Sequence, residues 1–404
     1  MYDFIPVLLG TDNNVYGTAR SFHELYGVRS VALGCEPLRY TRASKIVSVE
    51  TTPDFDTPEV FLDVMLRKGK ELSATGKKLL LMPCGDGYTE LIILNRGALS
   101  EYFLFNVIDR EMQVKLENKK AFYAICEKYG LDYPATLVLT YEDRHNYEVP
   151  FDFPVALKPN DSIEYLHTRF EGKKKAYKIA SAEEYREVVD HIYNSTYRGD
   201  LIVQDFIPGD SSKMYVLNAY VNTAGKVKMM CFGKCLLDEC LPMDIGNYNA
   251  LVSMGNDAIY RQYETFLETI GYRGYANFDL KLDVRDGKYK VFEINLRQGR
   301  SSYYMTAGGC NFVKYIVDDL ILGKDESPHY HAEEGLWLYC DPLVVKKYCN
   351  PVDRPLVDKM LKRGFKFTQW YEKDRSLTRF LDYWRRRLST IKYYPKFQPE
   401  RMND

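Results

Sequence analysis

Three apolar runs in the first third of the chain constrain the fold more than any other feature. They are FIPVLLG (4–10), SVALGC (30–35) and KKLLLMPCGD (77–86). Each has the length of a buried strand. Between the first two lies NVYGTARSFHELYG (14–27), an amphipathic stretch that closes at Gly27. Strand and helix alternating in this way predict a parallel sheet with crossover helices, an α/β N-terminal domain over residues 1–112. The loops that leave such strands are where open α/β sheets bind ligands. Here they are GTDNN, after the first strand, and the segment PCGDGYTE with Asp86. Gly10 and Gly17 do not fit G-x-G-x-x-G, so no dinucleotide site is expected.

The pattern changes near residue 113. A helix, KLENKKAFYAICEKYG, is followed by three strand candidates, ATLVLT, PVALKP and DLIVQDFIPG, with the charged helix SAEEYREVVDHIYNS before the third. A hairpin, KMYVLNAYVNTAGKVKMMCFGK, a helix, AIYRQYETFLETIGYRG, and two strands, YANFDLKLDV and YKVFEINL, complete an α+β region over 113–330. Residues 331–404 form a third segment. Between Pro355 and Phe397 it holds twelve Lys and Arg against four Asp and Glu, interleaved with Trp, Tyr and Phe, and reads as a basic aromatic extension. A chain of 404 residues accommodates three such parts.

Composition removes several function classes. The formal net charge of −1 gives no overall attraction to polyanions, and no nucleic-acid module is present, so no nucleic-acid partner is expected. No window approaches the roughly 20 apolar residues of a membrane span, and the N-terminus lacks the basic start of a signal peptide. The nine cysteines form no C-x-x-C pair. The nearest group, Cys231, Cys235 and Cys240, lacks ligand spacing, so these are read as reduced core thiols of a cytoplasmic protein.

Two strands carry a candidate metal site. In FDLKLD, Phe278, Leu280 and Leu282 alternate with Asp279, Lys281 and Asp283; in FEINL, Phe292, Ile294 and Leu296 alternate with Glu293 and Asn295. If both apolar rows face one core, both polar rows share the other face. Asp279 and Glu293 are an even number apart, which predicts a three-residue turn, Arg285-Asp286-Gly287, with Gly287 left-handed, or else a bulge. Asp279, Glu293 and Asn295 then present three oxygens to a cation such as Mg²⁺, with Mn²⁺ as a substitute. Arg297 and Arg300 follow at once and suit phosphate or acyl-phosphate oxygens. A solvated hairpin face with incidental charges has the same pattern.

A nucleotide site is read from two further strands. Lys158 ends the apolar run FPVALKP, where a lysine is costly unless it meets an anion or snorkels to water. Gln204 and Asp205 end LIVQD, and Phe206, Ile207 and a Pro-Gly turn follow. This edge could read adenine, with Asp210 reaching ribose, or be an ordinary strand exit.

The order of these segments resembles the ATP-grasp superfamily of carboxylate–amine ligases. Asn118-Lys119 is similar to the family's first phosphate lysine, FPVALKP to the strand with the second, Lys158, and IVQDFIPGD to the hinge near 204–210. NFDLKLD and FEINLR resemble the metal strands. The resemblance implies two subdomains that clasp ATP. Gln204, Phe206 and Ile207 would meet adenine, Asp205 would lie beside them, and Asp210 would meet ribose. Mg²⁺ would bind Asp279, Glu293 and Asn295, with Arg297, Arg300 and Lys281 as the catalytic set.

The sequence departs from the family in having Gln204-Asp205 where many relatives carry Glu, and in KPNDSIEYLH, which lacks a glycine-rich loop; Ser162 and His167 are the remaining candidates there. IPVLLGTDNNVYGTARSFHELYG and EINLRQGRSSYYMTAGG are most similar to the D-aspartate ligases of bacterial cell-wall synthesis. That likeness implies a small amino-acid donor, D-aspartate, and a peptide or nucleotide-linked peptide acceptor with a lysine amine. A ligase for another amino acid and a catalytically silent nucleotide-binding regulator are the alternatives. TAGG (306–309) could let backbone N–H groups approach an anion or be a plain loop. The basic tail admits weak contact with an anionic membrane, but packing of its aromatics on the body is the expectation.

Overall fold

The computed structural model describes residues 2–160, 164–165 and 168–401. The chain forms two compact units. One contains Met1–Arg110, Asp210–Phe278 and Asn295–Asp404; the other contains Glu111–Gly209 and Asp279–Ile294.

The first unit begins with β1 (Phe4–Leu9), β2 (Ser30–Gly34), β3 (Val47–Thr51), β4 (Lys78–Pro83) and β5 (Phe103–Leu104). They form a parallel sheet in the order β3-β2-β1-β4-β5. The direction of winding therefore reverses between β1 and β4, and the loops at the carboxyl ends of those two strands flank the switch point. The first helix, Asn13–Tyr26, is capped by Asp12, which accepts from Val15 N, and ends at Gly27 with φ 66°. Its residues 13–22 are all buried rather than amphipathic.

The helix is covered on its other side by the segment around residues 303–311, where Ser21 Oγ lies 2.8 Å from Thr306 Oγ1 and Asn311 donates to Ser21 O, and by the tail. Arg20 Nη1 donates to the carbonyls of Phe367, Thr368 and Trp370 at 2.5–2.9 Å, and Tyr16 donates to Asp374 at 2.8 Å. Residues 331–404, expected as an extension, are thus part of the first unit. Tyr394 is fully buried, and Arg386 and Arg387 pair with Glu239 at 3.1 Å and Asp341 at 2.6 Å. Arg379, Arg386 and Arg387 turn inward, and the other nine basic residues between Pro355 and Phe397 are exposed. The final helix, Leu377–Arg401, keeps one apolar row outside: Leu377, Leu381, Trp384, Leu388 and Ile391 are all exposed.

The second unit is built on β6 (Thr136–Leu139), β7 (Val155–Pro159), β8 (Tyr177–Ile179) and β9 (Leu201–Asp205), an antiparallel sheet in the order β6-β9-β7-β8. The helix Ala182–Tyr193 starts at Ser181, whose hydroxyl accepts from Glu184 N. It packs Tyr185, Val189 and Ile192 against Val155, Leu157 and Val203. One face of the sheet is thereby covered, and the alternate residues point the other way.

The remaining strands are β10 (Met214–Val221), β11 (Val227–Asp238), β12 (Tyr248–Met254), β13 (Gly274–Asp283), β14 (Lys288–Asn295), β15 (His329–His331), β16 (Gly335–Leu338) and β17 (Phe365–Phe367). They run in the order β14-β13-β10-β11-β12-β16-β17, with β15 on β11. The tail therefore contributes β16 and β17 to this sheet. The β13–β14 loop has four residues, Val284–Gly287, one more than expected. Gly287 is left-handed (φ 75°), and its N–H donates to Asp283 O at 2.8 Å.

Candidate active site

In the second unit the strand register gathers the nucleotide candidates. Ala156 pairs with Gln204 and with Lys178, Gln204 pairs with Thr136, and Lys158 pairs with Ile202. Lys158, Lys178 and Gln204 therefore share the face that the helix leaves uncovered. Lys158 is half-buried, and its Nζ donates to Tyr123 Oη at 3.2 Å. Burial pushes it down to about 8; the Glu293 carboxylate opposes this shift and the Lys119 ammonium adds to it. A lysine so placed is short of negative charge. Lys119 opens the helix Lys119–Tyr129, capped by Asn118. From the same helix Tyr123 donates to Phe292 O at 2.8 Å, which ties down the strand carrying Glu293.

The strand exit is held by its own contacts. Gln204 is buried and donates to Thr136 Oγ1 at 2.9 Å. Asp205 is bound by Arg285, at 3.0 Å from Nη1 and 2.5 Å from Nη2. Arg285 also pairs with Asp283, which takes a further ion pair from Lys290. These two cations hold the buried Asp283 well below the usual carboxylate range. Phe206 lies under two ammonium groups, Lys178 at 5.2 Å and Lys281 at 5.3 Å from the ring centre. Lys281 was grouped with the catalytic arginines, but it is buried and donates to Ile207 O at 2.8 Å. That bond ties β13 to the segment that follows β9.

Asp279 is half-buried on β13, and Glu293 is exposed on the adjacent β14. A four-residue loop between regular strands opposes residues an odd number apart, so this pair shares a face only through an irregularity. Val291 and Ile294, three apart, are both buried, so strict alternation is broken between them. Two carboxylates and an amide are hard oxygen donors that suit Mg²⁺.

In the first unit, Asn295 Nδ2 donates to Asn277 Oδ1 at 3.1 Å. Asn277 donates to Asn218 at 3.3 Å, and Asn218 to Tyr304 at 3.3 Å. This buried amide chain fixes which end of Asn295 is which. Arg297 Nη2 pairs with Asp86 at 2.8 Å, and Gln298 Nε2 donates to Pro83 O at 2.9 Å. Both contacts are at the carboxyl end of β4. Asp12, after β1, is pushed above its ordinary value by burial, against the pull of Val15 N–H and the charges of Arg300 and Arg297. Arg300 stacks over Tyr339 at 5.5 Å and lies 3.8 Å from Asp244. Arg297 thus meets the switch-point loop after β4, through Asp86.

Asp210 and TAGG have contacts that the sequence does not show. Asp210 lies in the first unit and caps the turn Ser211–Lys213; its Oδ1 accepts from Ser212 and its Oδ2 from Asn350. These partners hold it below its ordinary value. TAGG is neither an anion loop nor a plain one. It ends the helix Tyr303–Gly308, with Gly309 as left-handed cap. A Cβ on Gly308 would lie 2.3 Å from Ser253 Oγ, so the glycine permits close packing on β12. Ser162 and His167 lie outside the described residues. Lys178 was missed because KKKAYKIASAEE reads as a solvated charge run; its one signal is the outward position in YKI.

No protein-family model matches the chain. It is 46% identical over 394 residues to a D-aspartate ligase from Enterococcus faecium (strain Aus0004), covering 94% of this chain and 93% of that one. Among solved structures it is similar to the biotin carboxylase domain of Hydrogenobacter thermophilus 2-oxoglutarate carboxylase, in complex with MgADP, ADP and bicarbonate. The TM-score is 0.61 at 15% identity, over 82% of this chain and 73% of that one. It is similar also to an L-amino acid ligase from Bacillus licheniformis, with TM-score 0.55 at 15% identity over 80% and 75%. These likenesses show an ATP-grasp fold.

Proposed function

Because the chain belongs to the D-aspartate ligase family, we propose that it uses ATP to join the β-carboxylate of D-aspartate to the ε-amino group of a lysine in a peptidoglycan precursor. The observation that carries the reading is Lys158, a desolvated cation beside Lys119 and Glu293 on the open sheet face. That arrangement calls for a polyphosphate with a divalent cation.

Lys119 and Lys158 neutralise phosphate charge, and the uncovered face with Gln204 and Phe206 takes the base. Asp279, Glu293 and Asn295 would hold Mg²⁺, which when bound would supply charge neutralisation at phosphate oxygens. Arg297 and Arg300 hold the donor carboxylate as its oxygen attacks the γ-phosphorus and ADP leaves. The amine then attacks the acyl carbon of the mixed anhydride, phosphate departs, and the nitrogen loses a proton. No side-chain nucleophile is required; the chain's contribution is position and charge.

Phosphate release is the test, with D- and L-amino acids offered alongside a lysine-bearing muropeptide. Release that needs D-aspartate and the acceptor together is expected. Release with other pairs would assign a different ligase, and ATP binding with no turnover under any pair would mean a regulator.

Among the described residues no helix is long and apolar enough to cross a membrane. The outer row Leu377, Leu381, Trp384, Leu388 and Ile391 is flanked by exposed Arg375, Arg385 and Lys392. This is the pattern of a helix that lies in an anionic interface. The chain is expected to sediment with phosphatidylglycerol vesicles at low salt and to be released by high salt. Equal sedimentation of a Leu381→Glu/Leu388→Glu variant would refute that contact.

A further inference from the structure

Four side chains from three separate stretches of the first unit converge on one face of the large sheet. β15 pairs with β11 in parallel, with Met229 opposite His329 and Cys231 opposite His331. Cys231, His329 and His331 therefore project from the same side. Cys310, just beyond the helix cap at Gly309, closes over them. The ligand atoms of Cys310, His329 and His331 all lie within 4.8 Å of one another. The Cys231 side chain lies beside Cys310. Cys231, Cys310 and His331 are buried, and His329 is exposed at the mouth.

A second observation is independent of the clustering. His331 is 1% exposed, and its Nδ1 has no hydrogen-bond partner. The nearest carboxylate, Glu333 Oε2, is 3.9 Å away, beyond hydrogen-bond reach. The other ring nitrogen, Nε2, faces Ser253 Oγ at 3.4 Å. Ser253 is itself fixed, donating to Glu333 O at 2.9 Å and accepting from Gly335 N at 3.0 Å. A buried histidine held through one nitrogen, with the other unsatisfied, is the arrangement that outer hydrogen bonds give a metal ligand.

We propose that Cys231, Cys310, His329 and His331 bind a zinc ion that clips the short strand β15 and the Cys310 segment to β11. Two thiolates and two imidazoles make a closed tetrahedral set, the composition of a structural zinc site, and disfavour Mg²⁺. Zinc bonds of about 2.0–2.3 Å place tetrahedral ligand atoms ~3.3–3.8 Å apart. The ligand atoms of Cys310, His329 and His331, within 4.8 Å of one another, lie about an ångström outside that range, and Cys231 reaches the same side from β11. Zinc binding displaces the thiol protons to solvent, with no change of oxidation state. The ligand positions, 231, 310, 329 and 331, are too far apart in sequence for a spacing motif.

The test uses the full chain purified under reducing conditions without chelator. Metal analysis is expected to find about one zinc per chain, and the zinc-stripped protein to melt several degrees lower and recover with zinc alone. Cobalt(II) added to the stripped chain should give the visible bands of a tetrahedral thiolate site. His329→Gln, at the exposed mouth, should keep the fold but weaken zinc at least tenfold, and Ser253→Ala should weaken it about 10–100-fold. Absence of zinc and of the cobalt spectrum in folded wild-type protein would overturn the assignment. So would zinc affinity unchanged in both His329→Gln and Cys310→Ser.

Discussion

Glu293→Gln is expected to leave the protein folded and to lower the rate of phosphate release by at least a thousandfold, about 4 kcal/mol of transition-state stabilisation. Glu293 is exposed on β14, so an isosteric amide disturbs no core contact, and its effect on stability should stay within about 0.5 kcal/mol. The lost charge acts twice. It removes an anionic oxygen from the set Asp279, Glu293 and Asn295. It also removes the carboxylate that opposes the downward shift of Lys158, so the lysine is less often charged at neutral pH. Melting temperature and steady-state phosphate release at saturating Mg²⁺ check both halves. Full activity in a folded variant would remove the metal assignment.

Lys158→Met should separate stability from activity. The methionine keeps an unbranched side chain of similar length but carries no charge, so kcat/KM for ATP should fall by about a hundred- to a thousandfold, or ~3–4 kcal/mol. Stability should hold or rise by about 1 kcal/mol, because burial penalises the ammonium and the one hydrogen bond lost is to Tyr123. The pH dependence has a definite sign. In the free protein Lys158 loses its proton near 8, so ATP affinity should decline above that pH by up to about tenfold per unit. The folded value lies below the unfolded one, so the penalty is full below about 8 and disappears above the ordinary lysine range. Stability of the wild-type chain should therefore rise with pH through that window. The methionine variant should show neither slope. A wild-type-like ATP titration for Lys158→Met would detach Lys158 from the nucleotide.

Periodicity made much of this legible. The apolar runs at 4–10, 30–35 and 77–86 became β1, β2 and β4 of a parallel sheet, since a strand buried on both faces needs apolar residues throughout. FPVALKP and LIVQD became paired strands, and alternation alone placed Lys158 and Gln204 on a common face. What periodicity does not carry is the partner of each polar group. Lys281 alternates correctly with its apolar neighbours yet anchors Ile207 O, and Asp210 caps its own turn. The tail's composition signalled charge without showing that Arg386, Arg387 and Asp374 face inward. The β13–β14 loop shows the limit in small: its glycine was foreseeable from the backbone it must adopt, its length was not.

The second unit is not one stretch of chain. Residues 111–209 are joined by the hairpin segment 279–294, and the seams between them are specific. Val291 N donates to Asp132 O, Tyr123 to Phe292 O and Lys281 to Ile207 O, while Arg285 grips Asp205 and Lys288 grips Asp132. A ribosome therefore releases most of this unit well before the piece that seals it, and residues 210–278 must emerge in between. Closing the seam late across so long a loop is slow. Throughout that interval the nascent chain presents unsealed strand edges to its neighbours, the kind of exposed surface that favours association before folding is complete.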